Sequence, residues 1–448
     1  MNSLENKPWH WLTNLFKESI RKDHQRKIGV EVERIGLWND GSPFTYHGGT
    51  GKNQRLGARD LLLKLHEIYG WKTVESIPGE PIGLELPNGK VSLEPGSQLE
   101  FAVSPQENLK EVAQCLADFE SKVNQALKTW QGFRFIGLAT NPVNPLDQLE
   151  VIPAPRYHIM TEVLGKTGTL GTSMMRRTSS VQINLDYTSE AEAIEMLRVA
   201  LAVAPLSIAL FANSPFLDRK NTGFLSMRAE IWRHTDPART GLLPEAFDRD
   251  FDFNAYGAYL WKMPLMFVQT DDERFVSARG CSLAHIADGK LPGVSIKPQT
   301  LRTAVQQLFT EARLKPGYVE VRSVDGQLPQ YRLASTAFWL GLLYDPSARQ
   351  KSLELLGELS PTERNALWVD ASRLGLKAQV KGLGLQNIAE KLVDLSQKHL
   401  RNRGFGEEIY LQPLIKNIEQ GLCPAEWILK KFKSDWHESY QEMLKGEI

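Results

Sequence analysis

Two glutamates placed two residues apart constrain this chain more than any other feature. Glu31 and Glu33 lie within the apolar, β-prone run Ile28–Leu37 (IGVEVERIGL). Successive side chains of a strand point to opposite faces, so residues i and i+2 share one face roughly 7 Å apart. Both carboxylates therefore face the same way, opposite Val30 and Val32. The stretch alone allows two interpretations: a solvent-facing strand, or a partly desolvated pair that needs a divalent cation.

The composition argues against several kinds of partner and site. The chain has 448 residues with 53 basic and 53 acidic side chains, so its charge gives no reason to expect a nucleic acid or a membrane as partner. Cys115, Cys281 and Cys423 are widely spaced, which favours neither a disulfide framework nor a zinc site. The N-terminus lacks a signal-peptide pattern, and no apolar run reaches transmembrane length. We therefore expect a cytoplasmic protein.

The pattern along the chain indicates one domain. No internal repeat or low-complexity segment marks a boundary, so we expect residues 1–448 to form a single domain. Residues 1–27 should be a helical lead-in, because Trp9, Leu12 and Phe16 recur at helical spacing. Residues 346–448 should form a helical C-terminal part for the same reason.

Three further strand-like segments carry polar side chains in alternation with apolar ones. Glu100 lies at the end of KVSLEPGSQLEF, Gln182 and Asn184 share one face of SSVQINLDY, and Glu320 and Arg322 share one face of YVEVRSVDG. Each of these faces, taken alone, is typical of a strand that faces solvent. Together with the first strand they allow a different arrangement.

If the four strands belong to one antiparallel sheet, one face collects four carboxylates, two amides and an arginine. Such a face needs cations, and its oxygen ligands suit Mg2+ or Mn2+, which complete their coordination with water and substrate phosphates. The pattern therefore predicts nucleotide-dependent chemistry, in which metal ions bridge phosphates and an arginine neutralises the transferred group.

Nine segments in order resemble the plant-type glutamate-cysteine ligases. They are GVEVE (29–33), SLEPGSQLEF (92–101), RYHIM (156–160), KTGTLGTSMMRRTSSVQINLD (166–186), FANSPF (211–216), NTGFLSMRAEIW (221–232), RTGLLP (239–244), YVEVRSVDG (318–326) and AFWLGLLYD (337–345). The resemblance extends from about residue 28 to 440 and rests on the set rather than on any single motif.

The resemblance implies an ATP-dependent ligase that joins the γ-carboxylate of L-glutamate to the amine of L-cysteine through a γ-glutamyl phosphate. The product would be γ-glutamylcysteine, in the first step of glutathione biosynthesis. The implied fold is α+β and glutamine-synthetase-like: a curved antiparallel β-sheet with helices packed on its convex side and the active site on its concave face. The implied cofactors are ATP and Mg2+, with Mn2+ as an alternative. We expect a monomer or a weak homodimer.

The resemblance also assigns site residues position by position. The expected metal ligands are Glu31, Glu33, Glu100, Gln182 and Glu320. Gln182 stands where related bacterial ligases place a metal-binding histidine, so its ligation is the least certain of the five. Glu320 and Arg322 are the expected catalytic residues. Arg322 should contact the γ-phosphate and, with Asn184, bind the nucleotide.

The substrates are assigned to a second set. Arg228 is expected to bind the α-carboxylate of glutamate, with Trp232 as a wall of the pocket. The other substrate residues are Met174, Met175 and Thr178 in the same pocket, and Arg156 and Tyr259 on the cysteine side. For the two methionines and Tyr259, ordinary packing is the alternative interpretation.

Two other functions remain open at this point. The first is a ligase of the same fold that uses a different amine, which ADP release with glutamate and a panel of amines would reveal. The second is a non-catalytic protein that binds a metal or an amino acid. It is disfavoured because the four acids and Arg322 are all present.

The cysteine positions generate a prediction about redox control. The plant enzymes carry paired cysteines that can form regulatory disulfides, and the matching positions here are Ala278, Gly293 and Ala334. We predict that turnover is the same before and after treatment with a thiol reductant. A severalfold loss of activity on reduction, reversed by oxidation, would contradict this prediction.

Overall fold

An antiparallel sheet built around the first strand organises the fold. The computed structural model describes residues 7–21, 26–49, 55–77, 79–272 and 274–446. The strands are β1 (Ile28–Trp38), β2 (Lys72–Ile77), β3 (Glu80–Leu86), β4 (Gly89–Leu93), β5 (Leu99–Gln106), β6 (Phe133–Ile136), β7 (Ser180–Asp186), β8 (Phe216–Leu217), β9 (Lys220–Asn221), β10 (Thr240–Gly241), β11 (Phe267–Gln269), β12 (Phe275–Ser277), β13 (Phe309–Thr310), β14 (Ala312–Lys315), β15 (Tyr318–Asp325), β16 (Gln379–Val380) and β17 (Leu383–Gly384).

The helices lie mainly after residue 108 of the described chain. They are α1 (His10–Glu18), α2 (Ala58–Tyr69), α3 (Leu109–Ala126), α4 (Pro155–Thr167), α5 (Gly171–Arg177), α6 (Glu190–Phe211), α7 (Met227–Arg233), α8 (Phe253–Lys262), α9 (Leu283–Ala287), α10 (Pro298–Gln306), α11 (Pro329–Leu343), α12 (Pro346–Leu356), α13 (Pro361–Leu374), α14 (Leu385–Arg403), α15 (Gln412–Glu419), α16 (Pro424–Ser434) and α17 (Tyr440–Lys445). Of the predicted lead-in 1–27, residues 1–6 and 22–25 lie outside the described part.

The large sheet has the strand order β14-β15-β7-β1-β5-β4-β3-β2, and β6 pairs with the far end of β1. Every neighbouring pair along this order is antiparallel. The strands that carry the polar residues of the sequence analysis are therefore neighbours, although they come from positions far apart in the chain. This is the α+β arrangement that the sequence predicts.

The register places the polar side chains on one face. Glu31 is opposite Gln182, Glu33 is opposite Glu100, and Glu320 is opposite Asn184. Residues directly opposite each other in antiparallel strands project to the same side of the sheet. The alternate residues of these strands, including Val30, Val32, Val181, Ile183, Leu185, Val319 and Val321, are buried in the main core.

The helices α3, α6 and α11 contact these central strands. Helix α6 is apolar on all sides, with a mean hydropathy of 1.9, and among the described helices it alone is long and apolar enough to cross a membrane. Because 89% of that stretch is buried inside the protein, it has the surroundings of a core helix. It contacts β14 and β15 on one side and α12 and α13 on the other.

The turn between β4 and β5 is fixed against α5. The N–H of Glu94 donates to the carbonyl of Gln98 (2.9 Å), which closes the turn. The side-chain amide of Gln98 donates to the carbonyls of Met175 (3.2 Å) and Thr178 (2.8 Å). These bonds connect the acidic strand β5 to the segment that carries the two methionines predicted to shape a substrate pocket.

The same turn yields a prediction about stability. A Cβ added at Gly96 would lie 2.4 Å from the carbonyl oxygen and 2.7 Å from the Cα of Arg176, and a backbone cannot move aside as a flexible side chain can. We expect Gly96→Ala to push the turn away from α5 and to lower the free energy of unfolding by about 1–3 kcal/mol, measured by urea denaturation.

Gly384→Ala is the matched control. A Cβ at Gly384 meets no atom within 4 Å, and its φ of −70° is open to any residue. This variant should stay within about 0.5 kcal/mol of the original protein. Equal unfolding curves for the two variants would show that the contact with Arg176 does not matter.

Candidate active site

The polar face of the sheet encloses a pocket of about 230 Å3. Four acids line it: Glu31, Glu33, Glu94 and Glu100. The other lining residues are Pro95 and Gln98 from the β4–β5 turn, Met160 from α4, Met174, Met175 and Thr178 from α5 and its end, Gln182 from β7, Trp232 from α7, and Phe309, Arg313 and Arg322 from the strands that follow. The structure thus brings together residues separated by almost 300 positions in the chain.

Amide side chains bridge the charged groups of the pocket. Gln182 donates through Nε2 to Glu33 (2.9 Å) and accepts at Oε1 from Nη1 of Arg322 (2.5 Å). Asn184 donates to Glu31 (2.8 Å). Each amide thereby satisfies one carboxylate oxygen and leaves the charge of that carboxylate in place.

The four acids destabilise one another's charged forms. Burial, followed by repulsion from Glu33, raises the pKa of Glu94 to about 8, and burial with repulsion from Glu94 raises the pKa of Glu100 well above its ordinary value. Burial also raises the pKa of Glu31 and Glu33. A cation inside the pocket would relieve this repulsion.

The oxygen-only donor set therefore suits a hard divalent ion, but the side chains do not form a finished metal site. Among the described residues, no group of three or more acidic, histidine or cysteine side chains is placed closely enough to hold one metal ion. Oxygens from outside the protein would have to complete any coordination sphere, as is common for Mg2+.

Glu320 has a different environment from the four pocket acids. It is only 2% exposed, does not line the pocket, and pairs with Arg313 and, at 2.9 Å, with Arg322. Burial opposes its charge, but Arg313, Lys315 and Arg322 together hold the pKa of Glu320 below its ordinary range. In this structure Glu320 orients two arginines that line the pocket instead of facing the pocket itself.

Three predicted substrate residues also do not line the pocket. Arg228 is 3% exposed, and it donates to the backbone carbonyl of Arg322 (3.0 Å) with its guanidinium 5.7 Å from the ring of Trp232. Arg156 pairs with Glu75, outside the pocket. Tyr259, on α8, is half-buried against the main core, as its packing interpretation requires. Arg228 and Arg156 thus have partners within the protein, and Tyr259 packs against the core.

Two charged pocket residues, Glu94 and Arg313, were missed in the sequence. Glu94 follows β4 by one residue, and since Ser92 is opposite Glu100, the alternation of β4 extends to Glu94 on the same face. Arg313 lies opposite Glu320 in a hairpin whose turn, Pro316–Gly317, is visible in the sequence. Glu94 lies within the segment KVSLEPGSQLEF that the sequence analysis used, whereas Arg313 lies before the segment YVEVRSVDG.

A second cavity, of about 360 Å3, shares Glu31 with the pocket. Gly29, Asn184 and Tyr318 also line it, together with Arg21 near the end of the lead-in. Glu31 therefore stands between two cavities, and Asn184 lies in the second one.

The sequence profile of glutamate-cysteine ligase family 2 matches residues 66–447. The chain belongs to this family. It is 36% identical over 429 residues to the chloroplastic glutamate-cysteine ligase of Brassica juncea (93% of this chain, 80% of the relative) and 35% identical over 434 residues to that of Arabidopsis thaliana (94% and 80%). These matches confirm the predicted family and the predicted enzyme class, a ligase of glutamate and cysteine.

Solved structures support the fold of this family member. A glutamate-cysteine ligase from Francisella tularensis in complex with AMP aligns with a TM-score of 0.59 at 11% identity and covers 95% of this chain and 88% of its own. A bifunctional glutathione synthetase from Pasteurella multocida aligns with a TM-score of 0.55 at 14% identity (96% and 52%). The predicted fold class is confirmed.

The predicted location in the cytoplasm is contradicted by the relatives. The plant enzymes matched here are named as chloroplastic. The prediction rested on the lack of a signal-peptide pattern and of an apolar run of transmembrane length, and the lack of these two patterns does not identify a compartment.

The raised pKa of Glu94 predicts how stability depends on pH. A carboxyl with an ordinary pKa of 4.5 and a pKa of about 8 when folded stabilises the fold below pH 4.5, and this contribution is lost as the pH rises through 8. Without divalent metal, the protein should lose stability across this range, and Glu94→Gln should lose less. Urea midpoints at several pH values in the presence of a chelator would measure the difference.

Glu85→Gln, which removes an exposed glutamate from β3 of the same sheet, serves as the control and should follow the original protein. If the urea midpoints of Glu94→Gln and Glu85→Gln fell in parallel as the pH rises, the account of the buried acids would be wrong.

Proposed function

We propose that this ligase makes γ-glutamylcysteine in the pocket on the polar face of the sheet, with ATP activating the γ-carboxylate of L-glutamate. The convergence of four half-buried acids with Arg313 and Arg322 in one pocket is the observation that carries the proposal. An apolar pocket or a solvent-facing sheet would not need such a concentration of charge.

Activation is required because a carboxylate is a poor electrophile. The γ-carboxylate oxygen attacks the γ-phosphorus of ATP, ADP leaves, and a γ-glutamyl phosphate forms. The cysteine amine then attacks the acyl carbon, loses a proton, and phosphate leaves with the electrons of the broken C–O bond. The protein contributes alignment of the reacting groups, stabilisation of the transferred charge, and exclusion of water.

Magnesium is part of the proposal because the donor set fits it. Carboxylate oxygens of Glu31, Glu33 and Glu100 would bind the metal, although as they stand in the structure the three do not reach one ion together. Glu94 and the carbonyl oxygen of Gln182 lie close by, and water and phosphate oxygens would fill the remaining positions. When bound, the ion supplies positive charge that lets phosphate enter an acidic pocket. Mn2+ has the same ligand preference and is an alternative.

The arginines are proposed to receive the transferred phosphoryl group. Arg322 and Arg313 line the pocket and both pair with Glu320 behind its wall. A buried partner fixes the direction of a guanidinium, so less side-chain freedom is lost when it binds phosphate. We therefore propose that Glu320 is a positioning residue for these two arginines, in place of the metal ligand that the sequence analysis predicted.

The two cavities on either side of Glu31 suggest where the substrates lie. We assign the nucleotide to the cavity with Asn184 and Tyr318, and glutamate to the pocket with Met174, Met175, Thr178 and Trp232. The γ-phosphate and the γ-carboxylate would then meet beside Glu31. Arg228 supports this pocket from behind, through Trp232 and the β15 backbone.

The contribution of single side chains can be tested by turnover. Purified protein with ATP, Mg2+, L-glutamate and L-cysteine should release γ-glutamylcysteine, and a chelator should abolish the reaction. We expect Glu33→Gln and Arg322→Ala to lower kcat by roughly a hundredfold or more, because each removes a charge that acts on the transferred group.

Glu85→Gln is again the control, since this exposed glutamate belongs to the same sheet and not to the pocket. Folding of each variant should be checked by circular dichroism. Full turnover of Glu33→Gln at saturating Mg2+ would remove the metal from the proposal, and full turnover of Arg322→Ala would remove the phosphate contact.

A further inference from the structure

A third cavity, of about 320 Å3, shares no lining residue with the active pocket. The end of α7, the segment through β10 and the beginning of α13 form its walls. Most of the lining is apolar: Pro237, Leu242, Pro244, Phe247, Leu359, Pro361 and Trp368. Two arginines, Arg233 and Arg364, also line it. Arg233 pairs with Glu230 (2.9 Å), so the positive charge on the wall of this ligand-sized apolar chamber comes from Arg364.

Arg364 is the unusual member of this set. Its side chain is 2% exposed, and it donates to the carbonyls of Leu356 (3.0 Å), Gly357 (3.0 Å) and Leu359 (2.9 Å). A guanidinium has five N–H groups, and in the part of the chain that the structure describes no carboxylate pairs with this one. Burial lowers the pKa of Arg364 to about 10, as expected for a cation that lacks an anionic partner.

The surroundings of Arg364 define the chemistry of a ligand. Phe247 covers one face of the guanidinium, with its ring centre 3.9 Å away, so that face is not available. The three carbonyls take one Nη1–H and both Nη2–H groups of Arg364, so the Nε–H and one Nη1–H remain, and each can donate to one carboxylate oxygen. The prolines and Trp368 suit an apolar body.

The cavity adjoins the elements that build the active pocket. Arg233 lines the cavity and directly follows Trp232, which lines the pocket. On the other side, β10 lines the cavity and pairs with β13, whose Phe309 lines the pocket. The rings of Trp232 and Phe309 are in contact, with centroids 5.9 Å apart. A ligand in the cavity therefore touches both elements that hold these rings.

We propose that this cavity is a second ligand site, for a small aromatic carboxylate, and that its occupation changes the affinity of the active pocket for glutamate. The head group lies against Arg364 and the apolar body against Trp368 and the prolines. Coupling follows from the shared elements, since a ligand that favours one position of α7 and β10 favours one position of Trp232 and Phe309.

Fluorine NMR of the full chain with 4-fluorophenylacetate would test binding directly, in the presence of saturating L-glutamate and ADP. Asn365 is an exposed lining residue of the cavity, and its neighbour Ala366 is exposed but does not line it. We expect saturable binding to the original protein and to Ala366→Phe. In Asn365→Phe the new ring fills the cavity, so binding should be at least about tenfold weaker. The neutral probe 4-fluorophenylethanol should also bind about tenfold more weakly, because it lacks the charge that meets Arg364.

Arg364 itself is a poor choice for substitution, because its bonds to three carbonyls hold the end of α12 and the following loop. Absence of saturable binding to the original protein, complete displacement by glutamate, or equal binding of the two probes would each overturn the site.

Coupling is measured as the KM for glutamate with and without the carboxylate probe. It should change at least about twofold in the original protein and in Ala366→Phe, and stay constant in Asn365→Phe. A constant KM in the original protein with the probe bound would overturn the coupling. The NMR arm does not depend on ligase turnover, so failure of the proposed catalytic mechanism would leave it intact.

Discussion

Repulsion among four carboxylates in one enclosed pocket is the constraint on which this structure depends. On a surface, water screens charges from one another, and burial weakens this screening. Burial and the neighbouring acids therefore raise the pKa values of Glu94 and Glu100. The side-chain amides of Gln182 and Asn184 donate hydrogen bonds to Glu33 and Glu31, but these neutral groups cancel none of the negative charge. The fold must therefore hold these groups together by contacts made elsewhere.

Those contacts lie on the opposite face of the same strands. The residues that alternate with the acids are buried against α3, α6 and α11, and a shift of one residue in any strand would expose that set and bury the acids in the core. The apolar face thus fixes the register, and the register fixes the pocket. The turn between β4 and β5 is hydrogen-bonded to α5 and its end, and it closes one edge of the pocket.

Charge is separated within the polar face. Glu320 gathers Arg313, Lys315 and Arg322 at one side, and the four pocket acids lie at the other, with Gln182 bonded to both Glu33 and Arg322. A phosphoryl group has negative oxygens that can meet an arginine on one side and a metal ion on the other. Because the arginines and the acids lie at different sides of the polar face, one pocket can offer a phosphoryl group both an arginine and a metal ion.

The parts of the site that the sequence predicts are those that follow from alternation in strands. Glu31 and Glu33 share a face because they are two residues apart in one strand. They meet Glu100, Gln182 and Arg322 because the register of the paired strands turns these side chains to the same side of the sheet. Arg228 and Tyr259 lie on helices, whose docking depends on tertiary contacts that no local pattern contains, and neither lines the pocket. Their contacts with the substrates stay predictions. Arg364 is a similar case: in the sequence it is one arginine of a helix, and only packing reveals that its hydrogen bonds go to three backbone carbonyls and that none of the carboxylates the structure describes forms an ion pair with it.

Glu31 forms a wall of two cavities at once, and its raised pKa makes it sensitive to whatever enters either of them. A cation or phosphate that enters one cavity and changes the protonation of Glu31 also changes the electrostatic field in the other cavity. By thermodynamic reciprocity, the free energy with which a nucleotide alters glutamate binding must equal the free energy with which glutamate alters nucleotide binding. With the substrates placed in the two cavities as proposed, binding of either one would be linked to uptake or release of a proton by Glu31.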